Sequence, residues 1–249
     1  MSARLNDTAL ITGAASGIGA ACARWLAKRG VSRLVLVDRD EEGLAALELS
    51  CDVDRRVGDV ADEAFWTALE PDLGPLDHAV INAGIAAGAP LAEQSLDEWR
   101  RIMAVNLDGA FLTLRTSLRA MKGRKGSIVL VSSVAGVKPI PGIGAYGVSK
   151  AGVAHMARMA AAEYATSRIR INAIAPGGVD TPIWNSDPNF VAMVADMGRE
   201  KAKQAMGAAT PRGRFATAEE IATQVGFLLS DAALNITGAV LPSDGGYSL

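Results

Sequence analysis

Tyr146 and Lys150 stand four residues apart in Tyr146-Gly147-Val148-Ser149-Lys150, and Ser133 closes the apolar run GSIVLVSS. If a helix begins near Ala145, that spacing sets phenol and ammonium on one face, close enough to act on each other. A phenol with an ordinary pKa near 10 is a poor base at neutral pH, and a neighbouring cation favours its ionised form. Ser133, at the carboxyl end of its strand, points into the same crevice. The chemistry open to such a trio is proton transfer to and from a substrate oxygen. Taken alone, the Tyr–Lys pair is equally an ordinary pair on a helix surface.

A second group of residues suits phosphate. Thr12-Gly13-Ala14-Ala15-Ser16-Gly17-Ile18-Gly19 lies between an apolar run and a helical pattern. Glycines there let the backbone turn sharply and approach a pyrophosphate, and the helix N-terminus offers free N–H groups. The order G-x-x-x-G-x-G departs from the G-x-G-x-x-G fingerprint, so the turn by itself also suits a tight strand–helix connection with no ligand. Asp38, 19 residues beyond Gly19 at the end of the next apolar run, shifts the balance. A carboxylate at that place accepts hydrogen bonds from the ribose hydroxyls of an adenosine. It also repels the 2′-phosphate of NADP, and Ala14, Ala15 and Ser16 bring no positive charge, so NAD is favoured. Arg39 follows at once and keeps NADP open, and an Asp at a strand end also starts turns.

The elements that must position these groups can be read from periodicity. TALITG, RLVLVD, HAVINAG, GSIVLVSS and RIRINAIAP read as buried strands, each followed by a segment of helical period. Strands alternating with helices imply an α/β fold, a doubly wound (Rossmann) parallel sheet with helices on both faces. With 49% hydrophobic and 5% aromatic residues, the core must be built from Ala, Val, Leu and Ile. Ser95 with Glu98 and Thr217 with Glu220 carry the capping-box spacing of helix starts. Between Pro182 and Pro211 the alternation stops, and residues 183–210, with Trp184, Phe190, Met193, Met197 and Met206, read as a substrate lid. Nothing divides the chain, so residues 1–249 read as one domain.

Composition excludes other classes. A net charge of −2 gives no electrostatic reason to bind nucleic acid or an anionic membrane, and RRVG and KGRK read as solvated loops. No apolar run has membrane-spanning length, and MSARLNDTALITG enters a predicted strand without a signal-like stretch. Cys22 and Cys51 form neither a metal motif nor a disulfide framework. A cytoplasmic location is the expectation. His78 and His155 fall in no motif, and no metal site is expected.

Together, TGAASGIG, Asp38, Asn82-Ala83-Gly84, Asn106, Ser133, Tyr146-x-x-x-Lys150 and Pro176-Gly177 stand in the order typical of the short-chain dehydrogenase/reductase family, and the chain resembles it over essentially its whole length. The resemblance implies an NAD-dependent enzyme that interconverts a secondary alcohol and a ketone. Tyr146 would be the acid–base group, Ser133 would bond the substrate oxygen, and Lys150 would tune Tyr146 and hold the nicotinamide ribose. Asn106 would position a water joining Lys150 to solvent, or else serve as a helix-interior amide bonding backbone. The cofactor would meet Gly13, Ser16, Gly17, Ile18 and Gly19 at the pyrophosphate, and Asp59 and Val60 at the adenine. Asn82, Ala83 and Gly84 would pass beneath the adenosine ribose, while Pro176, Gly177, Val179 and Thr181 would hold carboxamide or phosphates. Ile81 replaces the first of two asparagines frequent in the family, and the extra Gly178 is expected to loosen the lid hinge.

A small or medium apolar substrate is expected to pass Val134, Ile140, Ile143, Trp184 and Met193, with Arg199, Lys201 and Lys203 available as charged anchors. The apolar helices GAFLTLRTSLRAM and AGVAHMARMAAAEY suggest a homotetramer, with a dimer as fallback, and the last strand and tail resemble a second interface. Two alternatives stay open: an NADPH-dependent carbonyl reductase of the same fold, and a non-catalytic NAD(H)-sensing protein.

Overall fold

The computed structural model describes residues 7–249. Among them, seven strands form one parallel sheet in the order β3-β2-β1-β4-β5-β6-β7. The strands are β1 (Thr8–Thr12), β2 (Arg33–Asp38), β3 (Asp52–Val57), β4 (His78–Ile81), β5 (Gly126–Val131), β6 (Ile169–Pro176) and β7 (Val240–Ser243). The helices are α1 (Gly17–Lys28), α2 (Glu41–Ala45), α3 (Glu63–Leu73), α4 (Leu96–Met103), α5 (Gly109–Ala120), α6 (Gly144–Tyr164), α7 (Pro188–Met197), α8 (Arg199–Gly207) and α9 (Ala218–Leu229).

β1, β2, β4, β5 and β6 are near-continuous apolar runs because helices cover both faces of the sheet. One buried cluster joins α1 and α9 to one face, and a second joins α3, α5 and α6 to the other. Strand order reverses between β1 and β4, which opens a crevice at the carboxyl ends of the strands, the usual ligand position in such sheets.

β3 corrects the reading of RRVG as a solvated loop, since Arg55 and Arg56 belong to it and it pairs in register with β2. As an edge strand it needs no apolar run. Arg56 and Arg33 both pair with Asp54 at 2.7 Å, and Arg55 donates to the carbonyls of Leu44 and Leu47. The residues of KGRK lie in the exposed turn before β5.

Both predicted helix starts exist, but only one is a full capping box. Glu220 N–H donates to Thr217 Oγ1 and Thr217 N–H to the Glu220 carboxylate. At Ser95 the side chain accepts from Glu98 N–H, while the Glu98 carboxylate turns to Arg101 at 2.7 and 2.8 Å, a stronger charged partner. Residues 183–210 hold a 3₁₀ turn, Pro182–Ser186, and the two helices α7 and α8. His78 bridges Ser127 and Asp7, and His155 is exposed on α6. Among the described residues no cluster of His, Cys, Asp or Glu is arranged to hold a metal, and no helix is long and apolar enough to cross a membrane.

Candidate active site

A cleft of about 1180 Å³ runs along the carboxyl edge of the sheet. At one end it is lined by Gly13, Ser16, Gly17, Ile18, Asp38, Asp59 and Val60, and at the other by Ile140, Tyr146, Trp184 and Tyr247; Asn82, Ala83, Gly84, Lys150, Pro176, Gly177, Val179 and Thr181 also line it. Gly19, Asn106 and Ser133 are chain neighbours of lining residues: Ile18, Val105, and Ser132 with Val134.

The glycine turn is shaped to let something large approach the start of α1. A Cβ on Gly19 would run into the Gly13 carbonyl oxygen, so only glycine lets the turn close on itself. Ser16, the N-cap of α1, makes no side-chain cap, which leaves the first-turn N–H groups facing the cleft. Asn82 locks the turn by donating to the carbonyls of Thr12 and Gly13 at 3.0 and 3.1 Å. Thr12 Oγ1 accepts from the N–H groups of Asn82 and Ala83, a contact sequence reading missed because threonine in a strand carries no motif. The Asp38 carboxylate accepts from Ala15 N–H at 2.9 Å and Asp40 N–H at 3.1 Å, so one charge both orders the turn and faces the cleft. Arg39 leans toward Asp59 at 3.7 Å. A glycine cradle, uncapped helix N–H groups and a carboxylate at the end of β2 fit a dinucleotide.

At the other end, α6 carries Tyr146 in its first turn and Lys150 one turn later. Ser133 is the N-cap of the short turn after β5, where its Oγ accepts from Ala135 N–H and faces the Tyr146 phenol. Burial pushes the Tyr146 phenol above its usual value, and the hydrogen bond with Ser133 opposes this only in part. Burial also pulls the Lys150 ammonium down to about 8. Burial and the Ser133 hydrogen bond, not the Lys150 cation, set the direction of this shift. Lys150 Nζ donates to the Val131 carbonyl at 3.0 Å and lies 5.8 Å from the Tyr146 ring centroid, and desolvation of the phenol dominates.

Asn106 sits in a π-helical turn, Ala104–Asp108, between α4 and α5. Such insertions in a helix frequently mark functional sites. Its amide accepts from Ile85 N–H at 2.8 Å, donates to Ile85 O at 2.9 Å and donates to Ser149 Oγ at 3.0 Å. Of the two roles read from sequence, the geometry shows the backbone-bonding one. Ser149 Oγ in turn donates to Tyr146 O, and Ser132 Oγ to Lys150 O, so two serines that sequence reading passed over fix the first turns of α6. A Cβ placed on Gly84 would lie 3.1 Å from Lys150 Nζ and 3.3 Å from Asn106 Oδ1, which puts β4, Asn106 and α6 around one point.

The segment after β6 is stitched down. Ala216 N–H donates to Gly178 O, Asp180 N–H donates to Ala216 O, and Val179 and Ala216 form a parallel bridge. Phe215 packs on Gly178, where a Cβ would come 2.5 Å from the ring, so the position has a packing reason to be glycine. Trp184 donates from Nε1 to Val179 O at 2.8 Å and stacks on Phe215 at 4.9 Å. Arg199 and Lys203, expected as charged anchors, are both held by Asp180, at 3.2 and 2.6 Å. Phe190 is buried against Trp184, 5.8 Å between ring centroids, and Tyr247 enters the cleft from the tail that sequence reading assigned to an interface.

A parallel doubly wound sheet with a dinucleotide cradle at one end of its crevice and, at the other, a half-buried Tyr146 beside buried Ser133 and Lys150 defines a nicotinamide-dependent oxidoreductase. Residues 13–248 match the family model described as enoyl-(acyl carrier protein) reductase. The cis-4-hydroxycyclohexanecarboxylate dehydrogenase of Sinomonas cyclohexanicum is 39% identical, over 96% of each chain. A crystal structure of levodione reductase superposes with a TM-score of 0.89 at 35% identity, covering 99% of both chains. A variant actinorhodin polyketide ketoreductase with NADPH reaches 0.88 at 32% identity, covering 100% of this chain and 99% of that one. The chain belongs to the short-chain dehydrogenase/reductase family and is an oxidoreductase of the alcohol–carbonyl type.

Proposed function

We propose that the protein interconverts an apolar, ring-bearing secondary alcohol and its ketone with NAD(H), using Tyr146 as acid–base group. The observation that carries this reading is the convergence of Ser133, Tyr146 and Lys150 on a cleft whose other end presents Asp38 to an adenosine ribose.

The nicotinamide supplies or accepts the hydride when bound. At neutral pH the raised Tyr146 phenol holds its proton and is set to give it to a ketone oxygen. In the reverse direction the phenolate takes the proton of the alcohol. Ser133 Oγ hydrogen-bonds the same oxygen and orients the carbon toward the cofactor. Lys150, with a pKa of about 8, is mostly ammonium at pH 7. It would hold the nicotinamide ribose and favour phenolate over phenol when oxidation requires it. Asn106 acts at one remove, by tying the Ile85 backbone to Ser149 and α6.

The preference for NAD rests on Asp38, which meets a 2′-phosphate with like charge, while Arg39 is drawn toward Asp59. The substrate preference rests on Ile140, Trp184 and Tyr247 as lining, on the engagement of Arg199 and Lys203 by Asp180, and on the ring-bearing compound in the name of the Sinomonas relative. Phe111 on α5 and Val148 and Met159 on α6 are about half exposed, in keeping with a homotetramer built through these helices. Two free thiols suit the cytoplasm.

The test is initial rates of NAD and NADP reduction over polyols, cyclic alcohols and hydroxysteroids. Turnover of cyclic alcohols with NAD is expected. Preference for NADP overturns the reading of Asp38. Tight NADH binding with no turnover of any alcohol overturns the reading of Tyr146.

A further inference from the structure

The segment after β7 does not trail into solvent. The Asp244 carboxylate, buried beside Gly177, accepts from Gly246 N–H at 2.9 Å and Ser248 N–H at 2.8 Å, which winds the segment back on itself. Arg212 N–H donates to Gly245 O at 3.2 Å, tying it to the end of the lid. Lys138 then reaches across from the turn after Ser133. Its Nζ donates to Tyr247 O at 2.8 Å and stands 5.0 Å from the centroid of the Tyr247 ring. Asp244 and Arg212 thus fix the backbone on either side of Tyr247, and Lys138 holds its carbonyl and its ring, which sets one aromatic side chain at one place on the cleft wall.

That place belongs to the substrate end. Lys138 lies two residues before Ile140, which lines the cleft, and the turn it leaves begins at Ser133. Trp184 enters from the lid, fixed by Val179 O and Phe215, so two aromatic residues bound the same cavity from different segments. An aromatic ring held by backbone and cation contacts yields little, and a held ring sets a length limit that a free one does not.

We infer that Tyr247, clamped by Lys138, is a specificity-determining residue that limits how far a substrate ring system extends beyond the reacting carbon, favouring single-ring over fused-ring alcohols. The inference rests on the proposed alcohol–ketone activity for its rate readout, and on pocket shape alone for its binding readout.

The experiment compares wild type, Tyr247→Ala, Tyr247→Phe, Tyr247→Trp and Lys138→Met with cyclohexanol, a decalol and a hydroxysteroid, and measures NADH affinity in each. Tyr247→Ala should raise kcat/KM for the fused-ring alcohols relative to cyclohexanol by about tenfold, the lower end of what a change of pocket size gives. Tyr247→Trp should lower the same ratio, and Tyr247→Phe should keep it, because the ring and not the hydroxyl forms the wall. Lys138→Met, which frees the ring without removing it, should move the ratio in the direction of Tyr247→Ala by less. An unchanged ratio in both Tyr247→Ala and Tyr247→Trp, with NADH affinity intact, overturns the inference.

If the wild type binds NADH and turns over none of the alcohols, the proposed activity fails separately. The wall is then read from quenching of bound NADH fluorescence by cyclohexanone and by a decalone. Tighter decalone binding in Tyr247→Ala supports it, and equal binding in all variants overturns it.

Discussion

Along the cofactor end of the cleft, contacts are made by backbone and by short side chains on strand ends, as in Asn82 to Thr12 and Gly13, Asp38 to Ala15, and Thr12 to Ala83. Along the substrate end they come from long side chains on segments outside the sheet: Trp184 on Phe215, Lys203 on Asp180, Lys138 on Tyr247. The difference follows from the ligands. A dinucleotide presents the same phosphates and riboses every time and is met by a rigid edge, while substrate shape is set by parts that can vary without disturbing the sheet. Tyr146 and Lys150 stand at the substrate end but on α6, which is packed against the core and sets them where the two ends meet.

Removing the acid–base group should have the largest effect, on turnover and not on cofactor binding. Tyr146→Phe is expected to lower turnover by about 10²–10⁴-fold, the usual scale for an acid–base group, with NADH affinity within about twofold of wild type by fluorescence titration. Near-normal turnover would remove Tyr146 from the mechanism. At the cofactor end, Asp38→Ala should lower kcat/KM for NAD by about 10–100-fold, matching the loss of a charged hydrogen-bond acceptor, and raise it for NADP. An unchanged NAD/NADP ratio would confine Asp38 to ordering the turn through Ala15.

The direction of the reaction gives a sharper comparison. Because burial raises the Tyr146 phenol, alcohol oxidation needs a phenolate that is scarce at neutral pH, and its rate should climb roughly tenfold per pH unit up to about pH 8, above which loss of the Lys150 charge flattens it. Ketone reduction needs the phenol and should be flat over the same range. It should fall above pH 8, where Lys150 loses its charge, if that charge holds the cofactor. Rate profiles in both directions on one enzyme check this, and parallel profiles would contradict it. The smallest effect is expected at the lid. Trp184→Ala loses a stacking contact worth about 0.5–1.5 kcal/mol, and it should change KM for the alcohol several-fold with little effect on KM for NAD.

Part of this molecule was decided by residue type and spacing alone. Short Val- and Ile-rich runs ending in TG, D, NAG and SS and separated by segments of helical period read as buried parallel strands, and four-residue spacing puts Tyr146 and Lys150 on one face once α6 forms. β3 escaped because an edge strand carries charges where a central one carries Val. Tertiary structure alone decided the electrostatics and the substrate wall. Whether Lys150 or desolvation governs Tyr146 depends on depth below the surface and on a carbonyl 19 residues away, at Val131. The packing reason for Gly178 lies 37 residues on, at Phe215, which occupies the space a Cβ would fill. Tyr247 reached the cleft through a hydrogen bond 109 residues away in sequence, at Lys138. Local pattern records which face a residue takes; burial and long-range contacts, set only when the sheet closes, determine what that residue can do.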